Sequence, residues 1–285
     1  MSITRIPASL LSGGSGSAAS AFINPESYGM KAVGVAGASA ALNKAALEAA
    51  LAAGPVLLPP KTYDITGIVF TGRMVLIGCG MTSVLNVTST GAGSAGIHVL
   101  IPAPNVGTIL RDFAITAPVA NACIHGIKFE QTHADGFMAN WEISGIYLWQ
   151  TFASAAIYLD NHIASGDGFF TGIIEKCRMT TGSDAGILGQ LIGDSIIIRK
   201  NTISDGIGVA INCSQVSGAR QLIIEDNNLT SRNGQIYLGA CAQAIVNRNW
   251  CEHPAYLGEF VGPPAILSQI TLADCPTCVR FHTAR

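Results

Sequence analysis

Two interleaved series of apolar positions recur along this chain at spacings too short for a strand–helix–strand unit. The first series starts at Leu110, Ile143, Ile174, Ile198, Ile224 and Val246, with 22 to 33 residues between members. Each member opens a segment that reads apolar, two mostly polar, one small or apolar, one variable, one apolar. The second series is anchored on Ile97, Ile127, Ile157, Ile187, Ile211 and Ile236, continues to Ile266, and repeats every 24 to 30 residues. The two series drift together, and the repeats carry no helical periodicity. A unit of this size that cannot bury its own apolar face must stack on copies of itself, so each repeat is read as one coil of a solenoid.

Stacking fixes much of the rest. Parallel strands of successive coils pair about 4.8 Å apart. Equivalent inward positions then lie over one another, giving aliphatic ladders such as Ile127–Ile157–Ile187–Ile211–Ile236. Asn201, Asn227 and Asn249 share one register, which predicts a ladder of stacked amides. Parallel crossovers are right-handed. The expected fold is therefore all-β, a single-stranded right-handed parallel β-helix.

Composition agrees by exclusion. With 32 glycines and 12 prolines the chain is unsuited to an all-helical fold. Hydrophobic residues are 49% of the chain and charged residues 12%, the reverse of a disordered composition. The net charge of −2 offers no positive field for a nucleic acid. So weakly charged a chain is expected to bury part of its outer surface in an assembly.

An open solenoid end exposes core and strand edges and needs a cover. The strong helix signal is Lys44 to Gly54, with Asn43 as the expected cap and Gly54 as the stop. Leu47, Ala50, Leu51 and Gly54 form its apolar stripe. The chain thus divides into an arm or linker over 1–27, rich in Ser, Gly and Ala, and a β-helix over 28–285 with its capping helix at about 44–54. The start of the chain has no secretory signal, which predicts synthesis in a cytoplasm, and no run is long enough for membrane insertion. The eight cysteines are scattered through apolar segments and read as small buried hydrophobes. Cys275 and Cys278 form a lone CxxC without the further ligands that a zinc site needs, so they read as free thiols.

One region also carries a family resemblance. The alanine-rich helix is followed by Leu58-Pro59-Pro60-Lys61-Thr62-Tyr63, and then by Leu76-Ile77-Gly78-Cys79-Gly80 with Ser83 and Leu85. This order resembles the N-terminal coils of pectate-lyase-like right-handed β-helix proteins, bacteriophage tailspikes in particular. The likeness covers about residues 28–87. It departs from the family at 28–37, where the usual aspartate-rich loop is missing. The resemblance implies a homotrimer located on the virion, in the phage tail, and joined to tail or baseplate proteins through the N-terminal arm. It implies recognition of host bacterial surface polysaccharide, capsule or lipopolysaccharide, with or without its degradation. The alternatives are a free bacterial polysaccharide lyase, hydrolase or epimerase, and a structural virion protein without activity.

Glycoside hydrolysis takes two carboxylates about 5–9.5 Å apart. In the second series, outward positions follow the anchor by one and three residues. The first row reads His98, Lys128, Tyr158, Leu188, Asn212, Tyr237, and the second Leu100, Glu130, Asp160, Gln190, Ser214. Glu130 and Asp160 fall on neighbouring coils and are the catalytic candidates, since two close carboxylates raise the pKa of one. His98, Lys128, Tyr158 and Tyr237 are the substrate-binding candidates, the tyrosines offering flat faces to sugar rings. The same rows also read as a solvated sheet face, with Lys128 paired to Glu130 or Asp160, or as a subunit interface. Glu175, Arg199 and Glu225 form another outward row and read as a charge ladder. Asp135-Gly136 and Asp167-Gly168 read as turns, with Asp194 roughly equivalent, and His133 and His162 as loop histidines beside them. Trp141, Trp149 and Trp250 read as core or interface packing or as sugar platforms. No GxSxG, HExxH, P-loop or dinucleotide motif occurs, so no cofactor and no metal is expected.

Overall fold

The computed structural model describes residues 22–89, 95–117, 123–149, 152–161, 168–190, 193–219, 221–231, 235–241 and 244–251, together with the strands Gly258–Val261, Ile270–Ala273 and Val279–His282. Each coil runs through three long parallel sheets. Sheet A has nine strands, from Val56–Leu57 to Ile270–Ala273. Sheet B has eight, from Thr62–Thr66 to Trp250–Cys251. Sheet C has nine, from Ile68–Thr71 to Val279–His282. The architecture is the expected parallel β-helix.

Both apolar series sit where stacking requires. Ile68, Ile97, Ile127, Ile157, Ile187, Ile211 and Ile236 are successive partners in sheet C, all buried. Leu76, Leu110, Ile143, Ile174, Ile198, Ile224 and Val246 form the equivalent ladder in sheet A. Ile266 lies outside the described residues.

The drift in repeat length has a structural cause. The middle coils carry an extra short strand between sheets C and A, at Asn105–Val106, Phe137–Ala139 and Gly168–Phe170. In the next coil only an isolated bridge remains, Phe170 to Asp194. In the two coils after that, the described residues form no further strand between the C strands Val209–Ala219 and Ile236–Cys241 and the A strands that follow them, and the repeat shortens accordingly.

The corner between sheets A and B uses a left-handed residue on coil after coil: Asp112, Gly145, Lys176, Lys200, Asp226 and Arg248. The next side chain turns inward. In the later coils it is Asn201, Asn227 and Asn249, whose amides stack: Asn201 Nδ2 donates to Asn227 Oδ1 at 3.0 Å, and Asn227 Nδ2 to Asn249 Oδ1 at 2.8 Å. Each Oδ1 also accepts the backbone N–H of the preceding rung, at Cys177, Asn201 and Asn227. The ladder thus satisfies donors that the corner would otherwise leave buried and unpaired.

The capping helix, α1, runs from Ala40 to Ala53. Its start corrects the sequence expectation. Ser39, not Asn43, is the cap, its hydroxyl accepting from Leu42 N. Asn43 lies inside the helix and is buried. Its Oδ1 accepts Lys31 N at 2.7 Å, and its Nδ2 donates to Lys31 O and Asp64 O at 2.8 Å each. Asn43 therefore ties helix, preceding loop and first coil together. The buried stripe is Asn43, Ala46, Leu47, Ala50 and Leu51.

Residues 1–21 of the Ser/Gly/Ala-rich segment lie outside the described residues. Residues 22–27 pack on the body. Ile23 bridges Val56 in parallel, and Glu26 pairs with Lys61 at 2.8 Å and accepts from Tyr63 Oη at 3.0 Å. Cys123 and Cys177 are buried, as expected of small hydrophobes, but Cys79 is exposed and Cys251 is disulfide-bonded. Cys275 and Cys278 lie outside the described residues. No helix among the described residues is long and apolar enough to cross a membrane.

Candidate functional site: the outer face of sheet C

Strand alternation turns Ile127 and Phe129 into the core and leaves Lys128 and Glu130 on the outer face. The neighbouring strand Ala155–Asp160 does the same for Tyr158 and Asp160. Register brings the rows together as expected: Lys128 is partnered by His98 on one side and Tyr158 on the other, and Glu130 by Leu100 and Asp160.

Lys128 is the hub. Its Nζ lies 2.9 Å from Glu130 Oε2 and 2.8 Å from Asp160 Oδ2. The same Glu130 oxygen is 2.6 Å from His98 Nε2. Lys128 Nζ also stands 5.5 Å from the centre of the Tyr158 ring, within cation–π range. Tyr158 Oη donates to Gln190 Oε1 one coil further on. These charged side chains are only 7% to 19% exposed, Asp160 least.

The electrostatics follow from that enclosure. Burial alone would push Glu130 up, but the hydrogen bonds and charge of Lys128, joined by His98, outweigh it and hold the carboxyl below its ordinary value. Burial likewise opposes the Lys128 charge, and the two carboxylates reverse this and hold its pKa above normal. Desolvation lowers the His98 pKa against the pull of Glu130. A neutral imidazole beside an ionised carboxylate donates its Nε2–H to it. The expectation of a raised carboxyl is thus not met at Glu130, because an ammonium lies between the two acids.

His125 belongs to this site and was missed by the sequence reading. Its ring packs against Tyr158 with centroids 4.7 Å apart. It is buried, its pKa is lowered to about 4 mainly by desolvation, and its Nδ1 has no hydrogen-bond partner among the described residues. Simple alternation from Ile127 would send His125 inward. The inward place is taken instead by Gly126, where a Cβ would come within 2.6 Å of Leu148 Cδ2 and 2.7 Å of Ala156 O. The signal lay in the column two before each anchor: Ala95, His125, Ala155 and Ala185 are partners in register, and one of them is a histidine.

Other expectations divide. Tyr237 is in the predicted row but lies beyond Leu188 and Asn212, three rungs from Tyr158, or about 14 Å at normal strand spacing. It is not part of the cluster. A register shift pairs Gln190 with Gln215, not with Ser214. The charge ladder is present, with Arg199 Nε 2.8 Å from Glu175 Oε2 and Arg248 reaching Glu225 at 3.3 Å. Asp135 and Gly136 form a turn closed by Gly136 N to His133 O, while His162 and Asp167 lie outside the described residues. Trp141 is core, and Trp149 and Trp250 are exposed. Among the described residues no group of three or more His, Cys, Asp or Glu could hold a metal ion.

The arrangement bears on catalysis. Two oxygens sharing one Nζ at 2.9 and 2.8 Å cannot be more than about 5.7 Å apart, which overlaps the spacing of retaining glycosidases. The Lys128 ammonium, however, occupies the ground between them, and Glu130 is held as an anion. The resting geometry supplies hydrogen-bond acceptors and a ring face, and Glu130 is held away from the protonated form that a general acid needs.

No family model matches the sequence, and no curated protein matches it. Among solved structures the chain is similar to the catalytic unit of a GH87 α-1,3-glucanase from Streptomyces thermodiastaticus, with 17% identity and a TM-score of 0.49 over 95% of this chain and 46% of that one. It is similar to the tailspike protein of Dettilon at 11% identity and a TM-score of 0.37, over 91% of this chain and 68% of that one. It is also similar to the enzymatically active domain of bacteriophage CBA120 tailspike protein 2, at 11% identity and a TM-score of 0.49 over 92% of this chain and 46% of that one. The chain thus spans less than half the length of two of these three, and the likeness is one of fold.

Proposed function

We propose that this chain is a bacteriophage tailspike- or tail-fibre-like protein that recognises host bacterial surface polysaccharide on the outer face of sheet C. One observation carries the reading. In a chain with 12% charged residues, an ammonium, two carboxylates, two imidazoles and a phenol are gathered on one outward face. Enclosing such charges costs desolvation that apolar residues would not incur. Preorganised polar groups beside an aromatic face are what a sugar ring requires. The assembly is a homotrimer, carried on the virion tail through the N-terminal arm over 1–27, and recognition dominates over cleavage because Lys128 engages both candidate acids.

The test is retention of the full chain on immobilised lipopolysaccharide or capsule from the host. Lys128→Met and Tyr158→Ala are each expected to weaken retention at least about tenfold, with the β-sheet circular dichroism unchanged. Wild-type retention in both variants would remove the site. The separation of Glu130 and Asp160 keeps a second reading open, a polysaccharide-degrading hydrolase. It requires release of reducing ends that Glu130→Gln and Asp160→Asn each abolish.

A further inference from the structure

The charges on this face define the class of sugar it can hold, an inference that rests on the recognition reading above. Within the sheet C strands from Ile68–Thr71 to Ile236–Cys241, Lys128 is the only lysine or arginine, and both Glu130 and Asp160 bind it. Asp184 adds a third carboxylate at the rim, hydrogen-bonded by Ser154 Oγ at 2.6 Å. Burial lowers the pKa of both His98 and His125, away from the positively charged form. The face therefore presents more negative than positive charge, and its single ammonium is already shared between two acids.

We infer that the sugar unit seated on this face carries no carboxylate, so that the chain selects neutral or amino sugars and rejects uronic, sialic or pyruvylated units. A sugar hydroxyl can donate to the oxygens of Glu130 and Asp160, forming the stronger, charge-assisted kind of hydrogen bond. A sugar carboxylate cannot donate, and it meets like charge in a partly desolvated setting, where repulsion over a few ångströms is worth tenfold or more in affinity. His125 is packed behind the Tyr158 ring and its pKa is lowered by burial, so it adds no positive charge that would attract an acid.

The experiment places the full chain on an array of purified bacterial O-polysaccharides and capsules of known composition. Each acidic polysaccharide is spotted both in its native form and after chemical reduction of its carboxyl groups to hydroxymethyl groups. The expected result is that the retained native glycans are neutral or amino-sugar polymers, and that any acidic glycan gains at least about tenfold on reduction. Retention of an acidic glycan that is lost when its carboxyls are reduced would overturn the inference and leave the recognition reading standing. Retention of no glycan at all would overturn both. The chemical change is made in the glycan, so folding of a variant does not enter.

Discussion

At Lys128 one ammonium serves two acids, and at His125 an imidazole is buried beside it; the buried imidazole places a pH response of the protein on the acid side. The pKa of His125 is about 4 in the folded chain against 6.5 for the free side chain. Between those values the unfolded chain takes up a proton that the folded chain refuses. Stability is therefore intact above about pH 6.5 and falls as the pH drops toward 4. The span corresponds to about 3 kcal/mol. Glu130, whose pKa is lowered, adds loss of the same sign at still lower pH. Urea unfolding from pH 7 to 4 is expected to show this decline, to which His98, its pKa also lowered by burial, adds, and His125→Phe is expected to remove the His125 part of it. Superimposable pH profiles for the two proteins would exclude His125 as its source. The rows that hold Lys128, Glu130, Tyr158 and Asp160 were legible because strand alternation and a constant repeat length leave little freedom. His125 was not, because a one-residue irregularity at Gly126 breaks the alternation locally, and only the small residues of its column betray it.

Among elements, α1 and the asparagine corner each tie distant parts of the chain together through buried side-chain amides. Asn43→Ala would leave Lys31 N and two carbonyls, of Lys31 and Asp64, without their side-chain partner. The cost is expected to be about 2–4 kcal/mol, against about 1 kcal/mol for Ser39→Ala at the cap. Equal losses in denaturant unfolding would mean that Asn43 is an ordinary helix residue. Asn227→Leu has the same logic in the ladder. It strips the buried N–H of Asn201 of its acceptor and breaks both amide contacts, so a loss of about 2–4 kcal/mol is expected. The earlier coils place Phe113, Ile146 and Cys177 at this corner, so a neutral outcome for Asn227→Leu would show that apolar filling suffices there too. The asparagine register was plain in the sequence because three coils repeat it at one position. The true helix start was not, since Gly37-Ala38-Ser39-Ala40-Ala41 has no periodicity to separate turn from helix. The extra strands between C and A were equally hidden, because two or three residues carry no pattern. Their trace was the repeat length, which falls where they end.

For the whole molecule, low charge predicted a covered outer face without saying which. Sheet A supplies a specific candidate. Its outward row places Ile173, Ile197, Ile223 and Ile245 on consecutive coils, and Ile245 is 42% exposed. Beside it runs the row of Glu175, Arg199 and Glu225, whose ionic contacts are made within the chain, so covering it leaves few charges unpaired. Four stacked isoleucines span about 14 Å, and a continuous aliphatic strip of that kind is the feature by which a subunit interface is recognised. If the proposed homotrimer forms through this face, Ile197→Lys with Ile223→Lys should yield monomer in sedimentation at concentrations where the parent is trimeric. Both substitutions point outward, so the coils and their circular dichroism should survive. The strip is separate from sheet C, and the monomer is expected to keep its glycan contacts while losing avidity, which depends on linked sites binding together. A trimer that persists in the double lysine variant would move the interface to another face and leave the isoleucine strip of sheet A without a partner from its own kind.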